Sequence, residues 1–535
     1  DEVLSQLDRR AGETPDMMFF RFWGDNPFVD TRTDGCLSTV AVDVDTASYT
    51  LMRNYLMSRR LLPPPEAVRT EEFVNYFPGG LEPPTGSAAF AVHTEVAPSP
   101  FAHESSYLLL KIGIKAREVA KEERKPCALV FVVDTSGSMR REDRLELVKD
   151  GLRLLVPELD EGDSVGIVAF DREARTVLEP TPASERERIL DAVGTLHANQ
   201  NTNVDAGLRL GYEMAARSYL QGANNRVILL SDGVANTGVT EAAQILERVR
   251  SQREKGIYLT CVGVGMGNHN DALLEQLADR GDGQCVYVDR REEARKVFVD
   301  NLTGTLEVIA RDVKIQVTFD PKKVVRHRLL GYENRAMAHH LFRDNTVDAG
   351  EVGAGHEVVA LYELKPAGDA RGKLATVRLR YQTVEHNEAV EMEHDVDAGG
   401  ARSRFEDTSP HFQLSALVAE FAEVLRDSYW ARGNDLSRVA SLTQALLGEG
   451  EGKLGTSKEL VELVALMKKA DALVRLRDSR TDERREVVDA LKDVRYRSAV
   501  LDELGGRRDA DRQHLDSLRR QNDDLRRRLE DVFRR

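Results

Sequence analysis

Residues 128–139 read ALVFVVDTSGSM. The uninterrupted apolar run from Ala128 to Val133 has the length of a strand that is buried on both faces. Polar residues and a glycine follow immediately, which predicts a tight turn beginning at Asp134. Ligands of open α/β sheets bind beyond the carboxyl ends of the strands, so we expect a functional site at this turn.

The chain around this run alternates strand-like and helix-like patterns as far as Thr305. Helical spacing is expected over 145–156, 204–220, 241–254 and 292–302. The further apolar runs are SVGIVAF, RVILLS, IYLTCVGVG and CVYV. Such alternation predicts a doubly wound, mostly parallel sheet with helices on both faces, which is an α/β fold.

Strands of a different kind lie on both sides of this α/β region. Residues 88–116 contain two strand-like stretches, and period-two patterns return after Arg311. The economical arrangement is one β-sandwich into which the α/β domain is inserted. We therefore expect an arm at 1–27, a helical segment at 28–86, the sandwich at 87–122 and 306–400, the α/β domain at 123–305 and a helical module at 401–478.

The remaining residues, 479–535, carry a heptad pattern that predicts a coiled-coil tail. Its regular part places Leu515, Leu518, Asn522, Leu525 and Leu529 at inward positions. An inward asparagine favours a two-stranded assembly, so self-association of the protein is one interpretation. The alternative is a monomeric amphipathic hairpin that folds back at Gly505 and Gly506.

Composition excludes several classes of protein. The 535 residues include 75 Lys and Arg against 90 Asp and Glu, a net charge of −15, which disfavours a nucleic-acid binder. No apolar stretch is long enough to span a membrane. The four cysteines lack zinc-site spacing and are interpreted as buried free thiols, although pairing of Cys261 with Cys285 stays open.

The turn after the first strand has the chemistry of a cation site. Asp134, Ser136 and Ser138 place one carboxylate and two hydroxyls on alternate residues, and hard oxygens are ligands for Mg²⁺ or Ca²⁺. Thr202 and Asp232 occupy corresponding loops, so five oxygen donors are expected at one edge of the sheet. The structural alternative is that these residues only form turns and caps.

These segments resemble the metal-ion-dependent adhesion site of von Willebrand factor type A domains. In that family Asp134, Ser136 and Ser138 correspond to the D-x-S-x-S residues, with Thr202 from a second loop and Asp232 from a third. The sequence matches the pattern at all five positions. The resemblance implies a site for Mg²⁺, with Ca²⁺ or Mn²⁺ as alternatives, and a protein partner that supplies an Asp or Glu to the metal.

A wider resemblance, over about 17–475, is to bacterial von Willebrand factor type A proteins of the YfbK type. It is carried by NPFVDT, LSTVAVDVDTASYT, EEFVNYF, LLLKIGIKA, GYENR and VDAGEVGAGHEVVALYEL. Members resemble exported or lipid-anchored proteins, so we expect the cell envelope, periplasm or cell surface, with the cytoplasm as the alternative. Residue 1 is Asp, so an export signal is not visible and no lipid-bearing cysteine stands there.

The segment DVDTASY, residues 43–49, faintly imitates the metal loop. No threonine or second aspartate segment accompanies it. We interpret Asp43, Asp45 and Ser48 as caps of the following helix, with a second cation site as the alternative.

The sequence therefore predicts a non-enzymatic interaction protein that binds an acidic residue of a partner through a divalent cation. No catalytic residues and no organic cofactor are assigned. One alternative is a metal-dependent hydrolase or phosphoryl-transfer enzyme that uses the same ion. The other is a coiled-coil scaffold in which the metal is structural.

Overall fold

The computed structural model describes residues 24–33, 35–102, 106–199, 202–233, 239–265, 271–345, 347, 349–368 and 372–479. Strands are numbered β1 to β16 along these residues. They are β1 Val29–Asp30, β2 Leu37–Ala41, β3 Phe90–Pro98, β4 Leu108–Ala116, β5 Cys127–Asp134, β6 Ser164–Phe170, β7 Ala174–Pro182, β8 Asn224–Ser231, β9 Ile257–Val264, β10 Cys285–Val288, β11 Val308–Phe319, β12 Val324–Leu330, β13 Gly350–Gly353, β14 Glu357–Pro366, β15 Lys373–Thr383 and β16 Ala389–Asp397.

The α-helices of the described chain are numbered in the same way. They are α1 Ala47–Asn54, α2 Thr70–Asn75, α3 Arg144–Leu155, α4 Arg186–Gly194, α5 Val204–Arg217, α6 Val239–Arg253, α7 Asp271–Arg280, α8 Arg291–Arg295, α9 Leu302–Leu306, α10 Pro410–Leu425, α11 Leu436–Leu446 and α12 Lys458–Ser479.

The central sheet has the strand order β10-β9-β8-β5-β6-β7. Its neighbours pair in parallel except β7, which runs antiparallel to β6 at one edge. Along β5, Phe131 and Val133 face the core under α3 and α4, whereas Val130 and Val132 face the core under α5, α6 and α7. The expected doubly wound sheet with helices on both faces is confirmed, and β7 is the strand that the apolar pattern did not single out.

The two remaining sheets pack face to face as a β-sandwich. One sheet has the order β1-β12-β14-β4-β3, and the other has the order β13-β11-β15-β16 with β2 added beside β11. Strand β14 pairs with β4 from Glu357↔Lys115 to Leu364↔Leu108, so segments before and after the central sheet share a ladder. Their inner faces form one buried core. The α/β region is therefore inserted in a β-sandwich, as the strand pattern predicted.

Helix α1 packs against β10, one of the two edge strands of the central sheet. Tyr287 of β10 packs against Ala47, Leu51 and Tyr55 on this helix and the turn that follows it. At the far end of β10, the guanidinium of Arg53 contacts the carboxylates of Asp289 and Glu293 at 2.5 and 2.8 Å. The amino-terminal segment thus closes an edge that would otherwise offer unpaired backbone groups.

The interpretation of Asp43, Asp45 and Ser48 as helix caps is wrong. At the start of helix α1, Thr46 makes no side-chain capping hydrogen bond, and the N–H of Ser48 donates to the carboxylate of Glu72 at 2.8 Å. Asp45 instead accepts a hydrogen bond from the backbone N–H of Cys285 at 2.8 Å, and the Oγ of Ser48 donates to the carbonyl of Ala67 at 2.6 Å. The charge beside Asp43 is the guanidinium of Arg335, 3.1 Å from its carboxylate. These side chains therefore contact residues that are distant in the sequence, and they do not cap helix α1.

Helices α10, α11 and α12 share a buried core with α1 and α2. Ser409 caps α10, since its side chain accepts a hydrogen bond from the N–H of Phe412 at 3.1 Å. Residues 24–27 of the expected arm lie on this module: Arg426 donates to the carbonyl of Gly24 at 2.5 Å and Trp430 to that of Asn26 at 3.0 Å. Residues 1–23 and the predicted coiled coil beyond Ser479 lie outside the described residues.

The four cysteines are free thiols, and all but Cys36 are buried. Cys261 and Cys285 stand directly opposite each other on β9 and β10, yet they form no disulfide. Burial raises the pKa of Cys261, so its thiol is protonated at neutral pH. Among the described helices, none is both long and apolar enough to cross a bilayer.

Candidate functional site

Asp134 is the last residue of β5 and is completely buried. Its Oδ1 accepts a hydrogen bond from the backbone N–H of Ser136 at 2.8 Å, and its Oδ2 accepts one from the hydroxyl of Ser231 at 2.7 Å. The first bond closes the turn at the end of the strand, and the second ties this turn to the end of the neighbouring strand β8. The carboxylate is therefore held rigidly at the carboxyl edge of the sheet.

Ser136, Ser138 and Asp232 form a chain of oxygen atoms beside Asp134. The hydroxyls of Ser136 and Ser138 lie 2.9 Å apart, and the hydroxyl of Ser138 donates to Oδ1 of Asp232 at 3.0 Å. A 3-10 turn from Gly137 to Asp143 carries Ser138 back over the strand end. Four of the five expected site residues thus meet through three contacts, although they come from positions as far apart as 134 and 232.

Thr202 stands just ahead of α5, in the loop that faces the turn after β5. This loop is joined to that turn by a hydrogen bond of 2.6 Å from the N–H of Asn199 to the carbonyl of Thr135, and Arg140 donates to the carbonyl of Ala198 at 2.6 Å. The threonine is partly buried. Within the described chain it makes no hydrogen bond to the other four residues, so the structure does not join it to their cluster through a direct contact.

Two buried carboxylates at close range create an electrostatic cost. Burial in the first place, and the charge of Asp232 in the second, raise the pKa of Asp134 to about 7. A cation is the usual solution when carboxylates are brought together away from water. The donor chemistry, which is two carboxylates with several hydroxyls, fits a divalent ion that prefers oxygen ligands.

Two residues of this site were not found from the sequence. Ser231 holds Asp134, and Arg144 forms an ion pair of 2.6 Å with Oδ2 of Asp232. The signal for Ser231 was weak because a serine at a strand end is common. Arg144 could have been suspected, since it begins a helix, where the helix dipole disfavours a positive charge.

Metal chemistry based on nitrogen or sulfur has no support in the described residues. No three His, Cys, Asp or Glu side chains in those parts of the chain are grouped so that they could hold a metal ion. A cation at this edge would therefore depend on the hydroxyls of Ser136, Ser138 and Thr202 in addition to Asp134 and Asp232. Such a site would combine two carboxylates with three neutral hydroxyls.

Three family models match consecutive parts of the chain. The one described as von Willebrand factor type A domain matches residues 128–301 and contains the whole oxygen cluster. The one described as Uncharacterized protein YfbK, C-terminal, matches residues 304–470, and one described as von Willebrand factor matches residues 15–109.

Similar proteins are found in bacteria and in mammals. YfbK of Escherichia coli K12 is 33% identical over 473 residues, which cover 84% of this chain and 80% of that protein. The protein sll0103 of Synechocystis is 32% identical over 190 residues, and these cover 35% of this chain and 44% of that one. Mouse inter-alpha-trypsin inhibitor heavy chain H3 is 29% identical over 175 residues, 31% of this chain and 19% of its own length. The latter two are thus matched over less than half of their length.

Among solved structures, the von Willebrand factor type A protein from Catenulispora acidiphila is 16% identical with a TM-score of 0.42. The alignment covers 69% of this chain and 88% of that one.

Proposed function

Because this chain belongs to the family of bacterial von Willebrand factor type A proteins that includes YfbK of Escherichia coli, we propose that it is a non-enzymatic, metal-dependent interaction protein. Its ligand is the carboxylate of an Asp or Glu on a protein partner. The residues proposed to hold the cation are Asp134, Ser136, Ser138, Thr202 and Asp232. The ion is Mg²⁺, with Ca²⁺ or Mn²⁺ as alternatives.

The observation that carries this proposal is the contact between Ser138 and its two neighbours. Its hydroxyl lies 2.9 Å from that of Ser136 and 3.0 Å from a carboxylate oxygen of Asp232. Hydroxyl oxygens 2 residues apart in the chain and a carboxylate 94 residues further on converge on one point at the sheet edge. Oxygen donors that converge in this way are what a hard divalent ion requires.

The composition of the donor set supports binding of a carboxylate rather than catalysis. A divalent ion held there would supply positive charge and an exchangeable coordination position, because its protein ligands are mostly neutral hydroxyls. Arg144 pairs with one of the two carboxylates, so the residues of this chain would leave part of the ion's positive charge unneutralised. The incoming Asp or Glu neutralises that charge, which makes binding both metal-dependent and selective for an acidic side chain.

The amino-terminal segment and the helical module are joined to the central domain at the end of β10. Arg53 links α1 to the end of β10, and Arg290 beside it forms a pair of hydrogen bonds with Glu462 of α12.

Location in the cell envelope or at the cell surface remains a prediction, as does self-association through the tail. Fractionation of the native cell with an antibody against the chain tests the first.

The proposal is tested by capturing partners from the native cell with and without a chelator. The variant Ser136→Ala with Ser138→Ala removes two of the three proposed hydroxyl ligands and keeps Thr202 and the carboxylates. We expect the wild type to retain its partner only when divalent cation is present, and the double variant to lose it. Ser164→Ala is the matched control, because Ser164 lies at the opposite, amino end of the same sheet. A partner retained equally by both proteins in chelator would contradict the proposal.

A further inference from the structure

Arg144 is a buried cation at the start of helix α3, directly beneath the oxygen cluster. Only 2% of its surface is exposed. A full positive charge in the first turn of a helix opposes the helix dipole, and removing a guanidinium from water is costly in itself. The placement is unfavourable on both counts, so its contacts have to compensate for it.

The backbone of Gly265 leaves room for this side chain. Gly265 directly follows β9 and has a φ of +71°, a conformation that suits glycine. A Cβ atom at this position would lie 2.7 Å from Cγ of Arg144 and would collide with its Cδ and Nε. The arginine therefore crosses the end of β9 through a passage that any larger residue would narrow.

The far end of the side chain reaches Asp232. Nη1 of Arg144 lies 2.6 Å from Oδ2 of Asp232, while Oδ1 of the same carboxylate accepts the hydrogen bond from Ser138. The two oxygens thus have different tasks: one is neutralised by the arginine and the other orients the hydroxyl of Ser138. The arginine fixes which oxygen of Asp232 faces the cluster.

The arginine also determines the charge of the site. With both carboxylates ionised, Asp134 and Asp232 contribute two negative charges and Arg144 one positive charge, so these three groups together have a net charge of −1. We propose that Arg144 is a positioning residue that keeps the cation site monoanionic, so that a bound divalent ion retains one positive charge for a single partner carboxylate. This inference rests on the function proposed above. It adds Arg144 as the residue that weakens binding of the metal ion and thereby leaves positive charge on the ion for the partner carboxylate.

A purely structural role for Arg144 makes a different prediction. If the arginine only compensates the buried charge of Asp232, its removal destabilises the protein and leaves metal binding unchanged or weaker. If it sets the charge of the site, its removal strengthens metal binding, since repulsion between a full charge and a divalent ion exceeds the contribution of one hydrogen bond.

The test is titration of the full chain with MgCl₂ by calorimetry. For Arg144→Gln we expect the dissociation constant for Mg²⁺ to fall about tenfold or more, in the range by which residues behind metal ligands change affinity. Arg144→Lys keeps the charge, and we expect affinity close to that of the wild type. Arg153→Gln, an exposed arginine of the same helix, is the matched control and should change nothing.

Gly265→Ala provides a second route if Arg144→Gln fails to fold, because the added Cβ displaces the arginine from Asp232 without removing it. Tighter Mg²⁺ binding in this variant supports the inference. Equal or weaker binding in Arg144→Gln, beside a wild type that binds Mg²⁺, overturns the inference and leaves the proposed function intact. A wild type that binds no divalent cation overturns the proposed function itself.

Discussion

The backbone N–H of Cys285 donates a hydrogen bond of 2.8 Å to the carboxylate of Asp45, a residue 240 positions earlier in the chain. Through this bond the amino-terminal segment holds the edge strand β10 of the central sheet. Arg335, from the loop after β12, lies 3.6 Å from the same carboxylate and 3.1 Å from Asp43. Three separate parts of the chain therefore meet at one buried point.

Asp45→Ala should lower the free energy of unfolding by about 1–3 kcal/mol, because the buried hydrogen bond from the N–H of Cys285 to this carboxylate would be lost. Asp45→Asn keeps an acceptor oxygen at this place and should cost less. Chemical denaturation of both variants measures the difference. Equal losses would show that the charge of Asp45, and not its hydrogen bond, holds the strand.

Arg53→Leu should lower the free energy of unfolding by more than Asp45→Ala does. This arginine contacts Asp289 at 2.5 Å and Glu293 at 2.8 Å, and its own side chain is 1% exposed. Removing it leaves buried carboxylates without their counter-charge, a change that costs about 3–5 kcal/mol. Thermal unfolding checks this. Arg59→Leu, on the exposed turn after the same helix, is the control and should change stability by less than about 0.5 kcal/mol.

Stability should depend on pH through Glu420. Burial raises the pKa of this carboxyl to about 8 in the folded protein, and Asn434 donates to it at 2.7 Å. The folded state therefore holds a proton that the unfolded state releases near its ordinary value of 4.5. The associated stability is complete below about pH 4.5 and is lost as the pH rises through about 8.

Glu420→Gln should abolish this dependence. We expect the variant to match the wild type in acid and to exceed it by at least about 1 kcal/mol at pH 9, since one unit of pKa corresponds to about 1.4 kcal/mol. Urea denaturation at several pH values measures the difference. Glu449→Gln, at an exposed position, is the control. A constant gap between Glu420→Gln and the wild type at all pH values would contradict the expectation.

Asp134→Asn should separate stability from metal binding. The amide oxygen can still accept the hydrogen bond from the N–H of Ser136, and the buried negative charge is gone. We expect the metal-free variant to melt at the same temperature as the wild type or higher. Addition of MgCl₂ should raise the melting temperature of the wild type and leave that of the variant unchanged. A similar rise in both would exclude Asp134 as a ligand.

Deletion of residues 480–535 should abolish self-association if the heptads pair between chains. Asn522 at an inward position predicts a dimer for the full chain. Sedimentation of the full and shortened proteins measures this. Two monomers would favour the alternative of a hairpin within one chain.

Much of the central fold was predictable from short segments. The run from Ala128 to Val133 is apolar on both faces because its strand lies between two layers of helices, and this is visible without any partner. The expected place of the site followed from the same logic, since the carboxyl ends of parallel strands lie at one edge. Asp134, Ser136, Ser138 and Asp232 meet there, whereas Thr202 makes no hydrogen bond to them among the described residues, and their role as metal ligands stays a prediction.

The sequence did not predict the contacts of side chains that can form several different local hydrogen bonds. Asp43, Asp45 and Ser48 have the composition of a helix cap, and only the position of Cys285 and Arg335 in space assigns two of them elsewhere. Strand β7 was not singled out because its position at the sheet edge leaves part of it exposed and polar.

Periodicity and residue chemistry by themselves determined the doubly wound sheet, the inserted arrangement of the sandwich and the loops that carry oxygen donors. These properties depend on which faces of a segment are buried, and the order of apolar and polar residues within the segment shows this. The tertiary structure alone decided that Arg144 would neutralise Asp232 and that Asp45 would hold β10. Ion pairs and hydrogen bonds between distant segments depend on distances of a few ångströms, which are settled only when the whole chain has packed.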